Sequence, residues 1–122
     1  LDAPVPILVC TDDGTILAAS RGLTEASGWT LDDVPDARAW LRRAFDVPPD
    51  DLEPKLADLL AELKGGGTAC AARPHRVRTK WGDDRWWAFH TSPPRPLPDG
   101  RAYLTAFAVD VTARVAAGDE SP

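Results

Sequence analysis

Two histidines, His75 and His90, are all the chain has. Both lie in segments of alternating character, "TACAARPHRVRTK" and "RWWAFHTS", that flank the turn "WGDD". With Lys80 opposite Arg85, pairing runs back so that Thr79 meets Trp86, Val77 meets Ala88 and His75 meets His90. Facing inward, two opposed imidazoles would hold an anionic ligand or titrate near neutral pH. Without a carboxylate or thiol beside them they do not complete a metal site. The plainer alternative is a pair of partly exposed histidines near strand ends, because a one-residue slip turns both to the other face.

Other groups able to do chemistry are fewer than they look. In that register the opposite face carries Lys80, Arg78, Arg76 and Arg85 with Trp87 and Phe89. This is a basic stripe interleaved with aromatics, suited to a solvated face, to blocking edge pairing, or to an acidic partner helix. Four Asp-Asp pairs (12–13, 32–33, 50–51 and 83–84) fall at turns or helix starts, where short carboxylates cap backbone N–H groups. Cys10 and Cys70 sit in apolar or small-residue runs, as buried thiols in a reducing compartment would, and metal-type spacing is missing. There is no nucleophile elbow or metalloprotease motif, and "KGGGT" is a helix stop without the phosphate-loop lysine after its glycines.

The elements that must position these groups read in blocks. "PVPILVC" and "TDDGTILAAS" make a strand, a turn at Asp12-Asp13-Gly14 and a second strand, with Ile7, Val9, Ile16 and Leu17 as the apolar positions. Ser20 caps a short helix carrying Leu23 and Ala26, ended by Gly28, and Thr30 with Asp33 opens a single turn. Asp36 caps "ARAWLRRAF", in which Trp40, Leu41, Ala44 and Phe45 share one face and Arg38, Arg42 and Arg43 the other. "PPDDLEPKLADLLAELKGGG" is the longest helix, with Leu52, Leu56, Leu59, Leu60 and Leu63 as its apolar stripe. Pro54 belongs in its first turn, which sets the cap near Asp51. The hairpin follows, then a loop "PPRPLPDG" barred from a central strand by its prolines, then a last strand from about 101 to 111. Strands and helices segregated this way indicate α+β with an antiparallel sheet.

The totals narrow the function. One domain fits in 122 residues, and a net charge of −5 argues against non-specific binding to nucleic acid or anionic membrane. No apolar run reaches the length of a membrane span and no signal peptide is recognisable, so the expected location is cytoplasmic. The abrupt start at Leu1 suggests a piece of a longer protein.

Four pieces in order resemble a PAS domain: "DDGTILAAS" as opening hairpin, "LTEASGWTLDDV" for a helix ending in Gly-aromatic-Ser/Thr, "RVRTKWGDDRWW" for a charged strand, turn and Arg-Trp, and "VDVT" for a terminal Asp-Ile-Thr. The resemblance covers about residues 4 to 114, with Ser20 where the family often has Asn and Gly22 as the small residue two positions on. It implies a PAS fold, a five-stranded antiparallel sheet with short helices and one longer helix packed on one face. It also implies one domain over 1–114, with 115–122 starting a linker to an effector or forming a tail.

The resemblance further implies a sensory module of a bacterial signalling protein, such as a histidine kinase or diguanylate cyclase, that is not itself an enzyme. Its cavity would lie between the inner sheet face and the helices, with Trp29, Trp40, Phe45, Leu56, Leu60, His75, Val77, Ala88, His90, Leu104 and Ala106 as candidate wall residues. These side chains equally suit a filled core. "DARAWLRRAFDV" has no cysteine for flavin photochemistry, and the longest helix has no histidine for haem. No cofactor is therefore expected, though an unidentified small ligand is possible. Asp110 and Thr112 would form the junction that passes a signal onward. The last strand, "YLTAFAVDVTARVA", is apolar on both faces, so Tyr103, Phe107 and Val109, with Trp87, are candidate interface residues for a homodimer or a flanking helix. Alternatives are a ligand-free module for dimerisation and docking, or a small cone-shaped α+β enzyme built around His75 and His90.

Overall fold

The computed structural model describes residues 3–65 and 74–118, so Cys70 and the strand expected before Pro74 lie outside the described residues. Strands β1 (Ile7–Thr11) and β2 (Ile16–Ala19) precede helices α1 (Arg21–Ser27), α2 (Ala37–Arg43) and α3 (Pro49–Lys64). Strands β3 (His75–Arg78), β4 (Asp84–Thr91), β5 (Arg95–Pro96) and β6 (Ala102–Asp110) follow, then helix α4 (Thr112–Ala116). The sheet runs β2-β1-β6-β4-β3 with all pairs antiparallel, and the two-residue β5 also pairs with β6. The expected α+β architecture with an antiparallel sheet is what forms. The addition is β5, which the Pro-rich loop permits because two residues at the edge need little backbone pairing.

Local chemistry sets most boundaries. Gly14 takes φ +92° in the β1–β2 turn, where the Thr11 hydroxyl donates to Asp13 and the Thr15 N–H donates to Asp13 Oδ1 at 3.2 Å. These bonds hold the Asp13 carboxyl near pKa 2, with the Thr11 hydroxyl the largest cause. Ser20 and Asp36 cap α1 and α2 through the N–H groups of Leu23 and Ala39, and Gly28 ends α1 at φ +80°. Thr30 and Asp33 close their turn reciprocally. The caps at Ser20, Gly28 and Asp36 and the Thr30–Asp33 turn therefore stand, but the cap expected near Asp51 does not: Asp50 and Asp51 lie inside the first turn of α3, which has no side-chain cap. Helix α3 starts earlier than expected: Pro49 occupies its first turn and Pro54 lies inside it. A proline at a helix start already has the right φ and lacks only an N–H that would go unused, so the preceding Pro48-Pro49 pair sets the start.

The hairpin register differs from the expected one by three residues. His75 pairs with Trp87, Arg76 with Trp86, Val77 with Arg85 and Arg78 with Asp84. The loop closes between Thr79 and Asp83: the Thr79 N–H donates to the Asp83 carbonyl at 2.8 Å, and the Thr79 hydroxyl accepts from the Asp83 N–H at 3.1 Å. Gly82, at φ +93°, supplies the left-handed residue of such a three-residue connection. Because the shift is odd, β4 turns over relative to expectation. Trp87 and Phe89 enter the core, while Ala88 and His90 face out. His90 pairs with Phe107 of β6 and stacks on its ring at 5.0 Å. The facing His75/His90 pair does not form, and Trp87, at 1% exposure, is no surface residue. In β1, likewise, Leu8 is buried and Cys10 lines the interior, rather than Ile7 and Val9.

One core cluster joins Leu8, Ile16, Leu23, Trp29, Val34, Trp40, Val77, Trp87 and Phe89 between sheet and helices. A second, of Ala37, Leu41, Leu52 and Leu56, seats α3 on α2.

Candidate functional site

Between the inner sheet face and α2 and α3 lies a cavity of about 100 Å³. Its sheet wall is Leu8, Cys10, Ile16, Phe89, Thr91 and Ala106, and its helix wall is Ala37, Trp40, Leu59 and Leu63, with Gly14, Phe45 and His75 at the remaining sides. Trp40, Phe45 and Phe89 meet edge to face, with centroids 5.7 to 6.3 Å apart. His75 stacks on Phe45 at 5.5 Å with the planes 7° apart. Burial pushes the Cys10 thiol up to about 11, so it is a neutral S–H in this wall.

Of the wall residues expected from sequence, Trp40, Phe45, His75 and Ala106 line this cavity. Val77 and Leu104 are fully buried elsewhere in the core, and Leu56 packs on α2. Leu59 and Leu63 line the cavity where Leu60 was expected. Trp29 is buried, and its indole N–H donates to the Arg78 carbonyl at 2.8 Å, fixing the α1–α2 connection to the end of β3. Ala88 and His90 are on the outer face, as the register requires. Cys10, Leu8 and Thr91 were missed; alternation counted from Leu8 instead of Ile7 would have found the first two.

The expected basic stripe does not form on one face, since Arg85 pairs with Val77 while Arg76 and Arg78 lie in the other phase, and each of these basic side chains lies by a carboxylate. Arg76 and Arg78 reach Asp46 at 4.0 and 3.4 Å, Arg78 also reaches Asp84 at 3.2 Å, and Lys80 reaches Asp33 at 3.3 Å. Arg85 Nε donates to Asp110 Oδ2 at 2.8 Å.

That last pair belongs to the junction at the end of β6. Asp110 Oδ1 accepts the Thr112 N–H at 2.9 Å, and the Thr112 hydroxyl accepts the Trp86 N–H at 2.9 Å. The Val111 N–H donates to the Trp86 carbonyl at 2.7 Å. Where the ladder stops, a carboxylate and a hydroxyl two residues apart thus satisfy the backbone and tie the start of α4 to the end of β6 and to β4. Burial raises the Asp110 pKa, but the bonds from Arg85 and Thr112 outweigh it and leave the carboxyl below its ordinary value. A depressed folded-state pKa contributes stability above the unfolded value, near 3.9, that is lost as pH falls through the lower folded one. Asp110→Asn is expected to flatten the loss of stability below pH 4. At pH 7 it should cost no more than about 1 kcal/mol, since the pair is largely exposed. Thermal unfolding from pH 2 to 7 checks both.

The profile of the PAS fold matches residues 2–116. The chain belongs to the PAS family. A comparison with curated proteins finds no match. Among solved structures it is similar to the PAS domain of a Desulfitobacterium hafniense protein, at 18% identity and TM-score 0.60, covering 88% of this chain and 93% of that one. It is also similar to a domain of a sensory box sensor histidine kinase/response regulator from Geobacter sulfurreducens, at 22% identity and TM-score 0.53, covering 85% and 82%. An RNA-binding light-oxygen-voltage receptor matches at 22% identity and TM-score 0.64 over 93% of this chain, which spans 31% of that receptor. At these identities the likeness is one of fold. The chain is a PAS sensory domain, and no helix among its described residues is long and apolar enough to cross a membrane.

Proposed function

We propose that this PAS domain is a non-catalytic, cytoplasmic sensor within a bacterial signalling protein. It binds a small molecule between sheet and helices and relays occupancy through β6 and the Asp110–Thr112 junction. The observation that carries this reading is the cavity itself: Ala106 lines it from β6, the same strand that ends at Asp110. A ligand pressing on Ala106 would act on a rigid strand four residues from the bonds that tie down the start of α4. Neither nucleic acid nor membrane is a partner in this reading, and neither flavin nor haem is the ligand. Native and denaturing mass spectra of the purified domain test it. A mass excess that disappears on denaturation is expected, and the same absence of excess at every mild condition tried would speak for the second reading.

That second reading is a ligand-free module for dimerisation or docking. Phe107 and Val109, 44% and 42% exposed on β6, favour it, with Tyr103 on the same strand. A homodimer or a flanking helix over this face would cover them. Sedimentation of the protein with and without Phe107→Ser distinguishes a dimer through this face from a monomer.

A further inference from the structure

We propose that the ligand class of this cavity is an uncharged, monocyclic ring compound, aromatic or alicyclic, of about six to eight non-hydrogen atoms. The proposal rests on the cavity being a ligand site.

Size gives the first bound. An apolar cavity of about 150 Å³ accepts one benzene. At about 100 Å³ and open on one side, this one holds a single ring with its walls yielding or part of the ring at the opening, while most of a fused two-ring or three-ring system would stand outside it. Charge gives the second. Among the described residues that line it there is no Asp, Glu, Lys or Arg. Carrying a carboxylate or ammonium into such a wall costs several kcal/mol with no permanent charge to offset it; the base among the described lining residues is His75, whose ring lies flat against Phe45. Cys10, as a neutral thiol, offers only a weak hydrogen bond, and the Thr91 hydroxyl lies on the same wall. One hydroxyl or similar neutral group on the ring matches what Cys10, Thr91 and the His75 imidazole at the side of the cavity can meet.

Ring geometry gives the third. Trp40, Phe45 and Phe89 are mutually edge-on, at 68°, 85° and 69°. Rings arranged so present both a positive edge and a negative face to the space between them. A further ring continues that packing, which a linear chain of equal volume cannot.

The test uses toluene and phenol as probes, with benzoate as the charged isostere and naphthalene as the two-ring control. Thermal unfolding and saturation-transfer NMR of the whole 122-residue chain are the readouts. Ala106→Leu fills the cavity from the sheet side; Ala37→Val fills it from α2 and replaces the first variant if that one lowers the thermal midpoint. At ten times its dissociation constant toluene is expected to raise the midpoint by roughly 5 °C. Benzoate and naphthalene are expected to leave it unmoved, and the filled variant to lose the toluene response while keeping its midpoint. Benzoate or naphthalene matching toluene, or toluene and phenol giving no response, overturns the ligand class. The underlying pocket reading is judged separately. If the class fails but a retained mass excess is lost in the filled variant, the pocket stands. If the class fails and the variant retains that excess, the pocket reading falls as well.

Discussion

Replacing Ser20 with alanine is expected to remove about 3 kcal/mol of unfolding free energy, with the urea m-value unchanged. The side chain is 1% exposed and uses its whole bonding capacity. Its hydroxyl donates to the Val5 carbonyl at 2.6 Å and accepts the N–H groups of Ile7 at 2.8 Å and Leu23 at 3.1 Å. Three separate pieces, the segment before β1, the start of β1 and the first turn of α1, are pinned by one oxygen. An alanine there leaves two N–H groups and a carbonyl without a partner, each worth about 1 to 3 kcal/mol where water cannot return. The Val5 and Ile7 groups are only part-buried and will recover some hydration, so the lower end of the sum applies. A loss under about 1 kcal/mol in urea titration would reduce Ser20 to an ordinary helix cap. Ser20 thereby ties the segment before β1 to the start of α1, at the position where the family often has Asn.

What the sequence made legible was what a single residue decides through its own neighbours. Ser20, Gly28 and Asp36 mark helix ends because a short oxygen or a missing Cβ acts within four residues. Block order likewise gave α+β, and four motif pieces gave the family. Facing was harder, since it needs alternation, and alternation fails wherever adjacent residues are both apolar. Trp86-Trp87 and the run Ile7-Leu8-Val9-Cys10 each read equally well in either phase. Register then rested on the turn, where "WGDD" admits a closure at Lys80–Arg85 or one at Thr79–Asp83. The choice is made by the Thr79 side chain and by the left-handed Gly82.

That one turn decides much of the candidate site. It sends Phe89 to the cavity and His90 to the outer face, which separates two histidines that looked like a pair. His75 ends beside Phe45 instead, as part of an aromatic wall. Cavity size was not legible at all, because it depends on how closely α2 and α3 approach the sheet. The junction was, since Asp-x-Thr needs only the end of a ladder and the start of a helix beside it.

Gly22→Ala is expected to destabilise the domain by roughly 2 to 3 kcal/mol, although alanine is the better helix former. Gly22 lies in the first turn of α1, where the N-terminal segment crosses over it, and its N–H donates to the Ala3 carbonyl at 2.9 Å. A Cβ at this position would stand 2.4 Å from the Pro4 carbonyl carbon and oxygen and 2.5 Å from that of Val5. Those are backbone atoms and cannot rotate aside as a side-chain tip would. The segment must therefore lift, and as it lifts the Val5 carbonyl leaves the Ser20 hydroxyl. The two positions are thus coupled: once the segment has lifted, Ser20→Ala removes fewer bonds. In the double variant the combined loss should fall short of the sum of the single losses by about 1 kcal/mol. Urea titration of both single variants and the double one measures this. Strict additivity would mean that the segment stays in place and α1 shifts instead.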